Sequence, residues 1–324
     1  MAGVSISTVS RVINGTAPVA AATVSAVRRA IDHLNYKPSA AARALAGLHS
    51  NTIGLLMPAI TGAFFTPLVR GIEEGARRAD FDLLIHLSGY DNDHDANPIS
   101  ALDAHNTDGL IVFLDRLDDE RIRQSWQSGV PLLLLFRSPP QDTDVPYIKF
   151  ENTRAAEEIV EHLIVVHGRR RIAFLSGPPT NEDSAQREEG YHRALAGNDI
   201  PFDPSLVRQA DFSTQKAHEV VAEWLTEDPD FDAIFAGDDG AAAGAMLALR
   251  EAGIRMPDEV AVVGFDDLEF ADLLTPSLTT VRAPVEFSGL LASEYLLAMI
   301  RGEKVRQETL LPTELVIRRS CGCP

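Results

Sequence analysis

Little in this sequence points to an exported, membrane-bound or disulfide-stapled protein. Cysteine occurs only twice in 324 residues, at Cys321 and Cys323. Two cysteines exclude a disulfide framework and fit a reducing compartment. A Cys-x-Cys pair on a tail offers two metal ligands, fewer than a structural site needs, so an inert tail and no metal or other cofactor are expected. No apolar run approaches the roughly 20 residues needed to span a bilayer. No basic segment followed by an apolar stretch opens the chain, so no secretory signal is read and a cytoplasmic location away from membranes is expected. A Walker-type phosphate loop, a Gly-x-Ser-x-Gly elbow and a zinc-type histidine cluster are all missing, which argues against an enzyme. Asp91-Asn-Asp-His-Asp95 looks like a calcium loop, yet it lacks the glycine at position six and has Leu102 at position twelve, so it reads as a solvated loop.

The charge is unevenly spread. The whole chain carries −18. Residues 1–49 hold Arg11, Arg28, Arg29, Lys37 and Arg43 against Asp32 alone, a net +4, which leaves −22 on the remainder. A small basic end on an acidic body points to a localised contact with a polyanion.

Periodicity then sets the fold class. From Ile53 onward, short apolar strands alternate with amphipathic helices. Strands are expected at 53–57, 83–87, 109–113 and 132–135, with helices at 65–78, 98–106 and 118–128. The pattern restarts near Asn152, with helices at 153–166, 184–197, 214–226 and 241–252 and strands at 171–176, 233–236 and 260–264. A late helix at 285–301 and a late strand at 310–317 return to the first array and then cross to the second. Continuous apolar strands between helices imply parallel sheets covered on both faces. The class is therefore α/β, with two parallel-sheet, Rossmann-like lobes and a ligand cleft beyond the strand C-terminal ends. The first 47 residues differ: they are Ala-rich and all-α. The expected division is 1–47, then 50–149 with 284–312, then 150–283 with 313–324.

Within the first segment, Ser5 is a natural N-cap and Val9, Val12 and Ile13 form one helical face. Ser7, Thr8, Ser10 and Arg11 occupy the other, as in a helix that reads a major groove. Residues 2–15, Ala-Gly-Val-Ser-Ile-Ser-Thr-Val-Ser-Arg-Val-Ile-Asn-Gly, closely resemble the helix-turn-helix of LacI/GalR regulators. The resemblance continues through a helix at 24–34, through Asn35-Tyr-Lys-Pro38 and through a hinge-like helix at 41–47. It implies that Ile6, Ser7 and Arg11 face base edges. It implies that Thr8, Ser10, Asn14 and Arg43 meet phosphate or position the helix, and that Leu45 wedges into the minor groove of a pseudo-palindromic operator. Two departures stand out. The family's first helix precedes Ala-Gly-Val-Ser, so an N-terminally shortened module is expected, and Ala20 stands where a capping serine is usual.

The remaining landmarks are His167-Gly-Arg-Arg-Arg-Ile-Ala-Phe174, Arg187-Glu-Glu-Gly-Tyr191, Phe235-Ala-Gly-Asp-Asp239, Val263-Gly-Phe-Asp-Asp267, Pro276-Ser-Leu-Thr-Thr280 and Arg318-Arg-Ser320. They resemble the family's sensor, which is similar to periplasmic sugar-binding proteins. The resemblance places Arg187, Asp238 and Asp266 at the effector, where a guanidinium fork and carboxylates suit vicinal hydroxyls. Phe212 would supply an apolar face, and Phe64, Phe65 and Phe113 the other wall. Asp238 could equally be an N-cap. Relatives often carry aspartate at Phe136, so phenylalanine there implies an effector less polar or larger than a free hexose. The expected protein is a homodimeric repressor whose operator affinity is set by a sugar-like small molecule. A pure solute-binding protein would leave residues 1–47 unexplained. A sensor that has lost specific DNA binding differs from the leading reading only at the N-terminus.

Overall fold

The computed structural model describes residues 2–14, 17–34, 50–89, 98–102, 106–227 and 230–324, without the side chains at 13, 14 and 98. The hinge segment 41–47, with Arg43 and Leu45, lies outside the described residues, as do the side chain of Asn14 and the loop 91–95. The chain divides into two units, Met1–Ser50 and Asn51–Pro324.

The first unit is helical, with α1 (Ile6–Asn14) and α2 (Ala21–Leu34). Ser5 caps α1: its hydroxyl accepts from the Thr8 backbone N–H at 3.2 Å. Val9 and Val12 are half-buried, whereas Ser7, Ser10 and Arg11 are exposed. Helix α2 turns Val27 inward, the one fully buried apolar residue among those described in this unit. It starts at Ala21, earlier than the 24–34 expected. The Ala20 carbonyl accepts from Thr23 and Val24, but alanine has no side-chain oxygen to add a cap.

The second unit opens with β1 (Thr52–Met57), α3 (Phe65–Arg78), β2 (Asp82–Leu87), β3 (Gly109–Val112), α4 (Asp119–Gln127), β4 (Leu132–Leu135) and β5 (Tyr147–Phe150). The chain then crosses into α5 (Thr153–Val165), β6 (Ile172–Ser176), α6 (Glu182–Gly197), β7 (Val207–Gln209), α7 (Thr214–Thr226), β8 (Ala233–Ala236), α8 (Asp239–Glu251), β9 (Ala261–Val263) and β10 (Thr280–Arg282). It returns through α9 (Val285–Ile300) and β11 (Glu308–Leu311), and ends beyond β12 (Glu314–Val316).

The first lobe is a parallel sheet in the order β2-β1-β3-β4-β5-β11. Strands β3 and β4 are buried along their whole length because helices cover both faces. On one face α3 and α9 meet almost backbone to backbone. A Cβ at Gly71 would strike the Glu286 carbonyl, and one at Gly289 the Leu68 carbonyl. The second lobe is a parallel sheet, β7-β6-β8-β9, flanked by an antiparallel β10–β12 ribbon. Its two cores lie on opposite faces of the sheet, around Ile159 and Phe174 on one side and Val221 and Ile234 on the other.

Three differences from the sequence reading have physical causes. The helix expected at 98–106 is a short 3₁₀ turn over Pro98–Leu102, with 103–105 outside the described residues. The late strand expected at 310–317 is two strands, β11 in the first sheet and β12 in the ribbon. Pro312 lies between them, has no N–H, and cannot continue a ladder. Strands β5, β7 and β10 have no counterpart in the sequence reading, because each is only three or four residues long and carries a cation (Lys149, Arg208, Arg282).

Candidate functional site

The chain crosses between the lobes at 150–152, 282–284 and 311–313, and a cleft of about 710 Å³ lies between them. Its walls come from strand C-terminal ends, as open parallel sheets dictate. Phe64, Phe65 and Phe113 form one wall and Arg187, Phe212, Asp238 and Asp266 the other, all lining the cavity.

The first wall is an aromatic cluster. Phe64, Phe65 and Phe113 sit with ring centroids 5.9–6.0 Å apart. Phe136 supports them from behind. Its ring meets Phe113 edge-on at 5.1 Å, stacks on Phe150 at 4.6 Å, and is 1% exposed. The expectation that Phe136 faces the effector is corrected here: its ring belongs to the lobe core and does not line the cleft. Any polarity lost at that position acts on the wall from beneath.

The opposite wall is built around Arg187 on α6, which is 3% exposed. Its Nε donates to Asn152 Oδ1 at 3.0 Å, one terminal nitrogen donates to the Gly237 carbonyl at 2.5 Å, and the other pairs with Asp266 Oδ1 at 3.2 Å. The Phe265 ring lies 3.7 Å from the guanidinium carbon, a cation–π contact that also fixes the fork. Asn152 donates in turn to Asp183 Oδ1 at 2.8 Å. Asp238 is the N-cap that the sequence allowed. It caps α8 by accepting from Ala241 N–H at 2.8 Å, and it lines the cleft.

Charge is unbalanced. Burial lifts the Asp266 carboxyl to about 7; Arg187 opposes this, while Asp238 and Asp183 add to it. Burial likewise lifts Asp183 to about 6. Asp238 is also raised by burial. One buried guanidinium does not neutralise three buried carboxyls, so the wall carries hydrogen-bond acceptors that are short of partners and suit a hydroxyl-bearing ligand.

Backbone strain collects at the same place. Asp266 has φ 108° and Phe212 φ 56°, both in the left-handed region that side chains disfavour. Asp266 is held there by its N–H to the Val281 carbonyl at 2.7 Å. Phe212 sits over Gly177, where a Cβ would collide with its ring.

Several site residues escaped the sequence reading. Glu182 accepts from Ser138 N–H at 2.8 Å and Lys149 Nζ at 2.7 Å, joining the two lobes. Burial pushes its carboxyl up, but the Lys149 and Ser138 bonds outweigh this and leave it below its ordinary value. Asn181 caps α6 through Oδ1 and reaches Asp115 in the other lobe through Nδ2 at 2.9 Å. From sequence, Asn181-Glu182-Asp183 looks like an ordinary helix start, and nothing in it marks the interlobe partners.

Around α1, Ile6 is 89% exposed and Ser7, Ser10 and Arg11 stand open, with Thr8 half-buried. Asp32 is the single acidic residue of the whole segment 1–49. At the C-terminal end of the described chain, Cys321 is fully buried.

Comparison with known proteins decides the family. Residues 1–39 match the model for bacterial regulatory proteins of the lacI family, and residues 160–321 match a periplasmic binding protein-like domain. Catabolite control protein A of Priestia megaterium is 30% identical over 98% of this chain and 96% of its own length. The chain belongs to the lacI family. The ribose operon repressor of Escherichia coli strain K12 is 32% identical over 98% of this chain and 96% of its own. Among solved structures, the lac repressor dimer bound to operator and an anti-inducer superposes with a TM-score of 0.85, at 30% identity, covering 99% of this chain and 96% of that one. A CelR–cellobiose complex gives 0.77 at 30% identity, covering 98% and 97%. This LacI-family chain is thus a transcription regulator with a DNA-binding segment and a two-lobed sensor. No helix among its described residues is long and apolar enough to cross a membrane.

Proposed function

We propose that this LacI-family regulator is a cytoplasmic homodimer that represses from a pseudo-palindromic operator and is controlled by a neutral, polyhydroxylated ligand with an apolar face. The ligand is bound in the cleft and not turned over. Ile6, Ser7 and Arg11 on α1 read bases, Thr8, Ser10, Asn14 and Arg43 position the helix, and Leu45 enters the minor groove. Relatives support this in kind: a lac repressor is known as an operator-bound dimer, and CelR as a cellobiose complex.

The observation that carries the ligand class is the composition of the cleft. Asp115, Asp183, Asp211, Asp238 and Asp266 line it against Arg116 and Arg187 only. Such a surface repels phosphorylated or carboxylated ligands and accepts hydroxyl donors. The facing phenylalanines want an apolar ring face. A 710 Å³ cavity suits a glycoside or disaccharide better than a single free hexose. Closure on such a ligand would alter the lobe arrangement, and with it operator affinity.

Isothermal calorimetry with monosaccharides, disaccharides, aryl glycosides and sugar phosphates tests the proposal. Neutral disaccharides or glycosides should bind and sugar phosphates should not. Binding confined to anionic compounds would overturn it.

A further inference from the structure

Away from the cleft, the second lobe gathers His162, His167, Cys321 and Cys323 at one point. One donor atom from each lies within 4.8 Å of all the others. His162 sits in the last turn of α5 and His167 just beyond it; both cysteines lie on the tail after β12. We propose that these four residues bind a zinc ion in a closed tetrahedral site that clips the C-terminal tail to α5.

The distances carry the argument. Zinc binds imidazole nitrogen at about 2.05 Å and thiolate sulfur at about 2.3 Å in a tetrahedron. The edges of that tetrahedron are then about 3.3 Å for N···N and about 3.6 Å for N···S. Here His162 Nε2 and His167 Nε2 are 3.2 Å apart. Cys323 Sγ lies 3.7 Å from the first and 3.5 Å from the second. Three donors therefore already have the spacing of one face of the tetrahedron, and Cys321 Sγ, within 4.8 Å of all three, is the donor for the fourth corner. An ordinary hydrogen-bond network has no reason to aim two Nε2 atoms and a sulfur at one shared point.

The surroundings fit a built site. The Thr279 hydroxyl donates to Cys321 Sγ at 3.1 Å, as outer-shell groups do for metal thiolates. Gly322 passes the His167 ring so closely that a Cβ there would lie 2.9 Å from Nδ1, and its φ of 115° also favours glycine. The tail is aimed by Ser320, whose Oγ accepts from Thr279 N–H at 2.8 Å and donates to the Val262 carbonyl at 2.6 Å. Charge balances: on binding, each thiol releases its proton to solvent, and two thiolates with two neutral imidazoles neutralise Zn²⁺ in a part-buried setting. Two nitrogens and two sulfurs in a tetrahedron select zinc over calcium or magnesium.

The test uses the full chain, made without a histidine tag, kept in a non-thiol reductant and exchanged into chelator-free buffer. Elemental analysis should find about one zinc per chain, and cobalt reloading should give a thiolate-to-cobalt charge-transfer band. Cys323→Ser, at a half-exposed position, should lower zinc affinity at least tenfold and weaken that band. Cys321→Ser/Cys323→Ser should lose both metal and band, with effector binding retained. Three results would overturn the site: a chain that neither retains zinc nor takes up cobalt, a metal content unchanged in the double variant, or an intact mass lower by two hydrogens, which marks a Cys321–Cys323 disulfide.

Discussion

Replacing Arg187 with alanine is the sharpest probe of the cleft. The change removes the guanidinium that pairs with Asp266, together with its bonds to Asn152 and Gly237 and its stack on Phe265. Breaking a buried pair by deleting one partner costs about 3–5 kcal/mol, because a buried charge is left uncompensated. For a unit the size of Asn51–Pro324 that is a fall in melting temperature of roughly 5–9 °C. The loss should depend on pH in a definite sense. A carboxyl raised in the folded state binds its proton more tightly there than in the unfolded chain. Stability is therefore lost as pH rises from the ordinary carboxylate range towards about 7, the value at Asp266, and is level above it. Without Arg187 that carboxyl rises further, so the variant should be hurt most at pH 8 and least at pH 5, where the proton stays on in both proteins. Calorimetric melts at the two pH values read this directly. Effector affinity should fall separately, by about 10- to 100-fold, the worth of roughly 1.5–3 kcal/mol for a lost hydrogen bond from a charged group to the ligand. A variant whose destabilisation is the same at pH 5 and pH 8 would refute the reasoning, since Arg187 would then not be balancing buried carboxylates.

Two further changes test separate links. Gly177→Ala places a Cβ against the Phe212 ring, and such overpacking costs about 1–3 kcal/mol. Calorimetry should show effector affinity reduced by roughly 5- to 150-fold with an unchanged circular dichroism spectrum, and wild-type affinity would mean Phe212 does not touch the ligand. Arg11→Ala should cost about 1–3 kcal/mol on a site selected from random DNA while leaving salt-sensitive background binding. An equal loss on every sequence in a gel-shift assay would reassign Arg11 to phosphate.

The parts of this protein legible from residues alone share one property: their signal is local. Buried parallel strands such as Leu132–Leu135 announce themselves as unbroken aliphatic runs, and α1 by its cap at Ser5 and its two-sided pattern. Seven of the eight expected effector residues line one cleft: six follow a strand or sit at a helix start in sheets whose C-terminal ends converge, and Arg187 reaches it from the second turn of α6. What escaped was set by contacts between distant segments. Phe136 reads as a cleft residue by resemblance, since relatives often carry aspartate there, yet its ring packs into the lobe core on Phe150. Asn152 and Glu182 look like ordinary helix-start polar residues until the fold brings Asn152 to Asp183 and Arg187, and Glu182 to Ser138 and Lys149. His162 and Cys323 are 161 positions apart and carry no sign of each other. The amino-acid order determined which segments become strands and helices and which residue types face the cleft. Only the tertiary structure decided which charges share a buried space, because desolvation and Coulomb interaction depend on distances that local sequence does not contain.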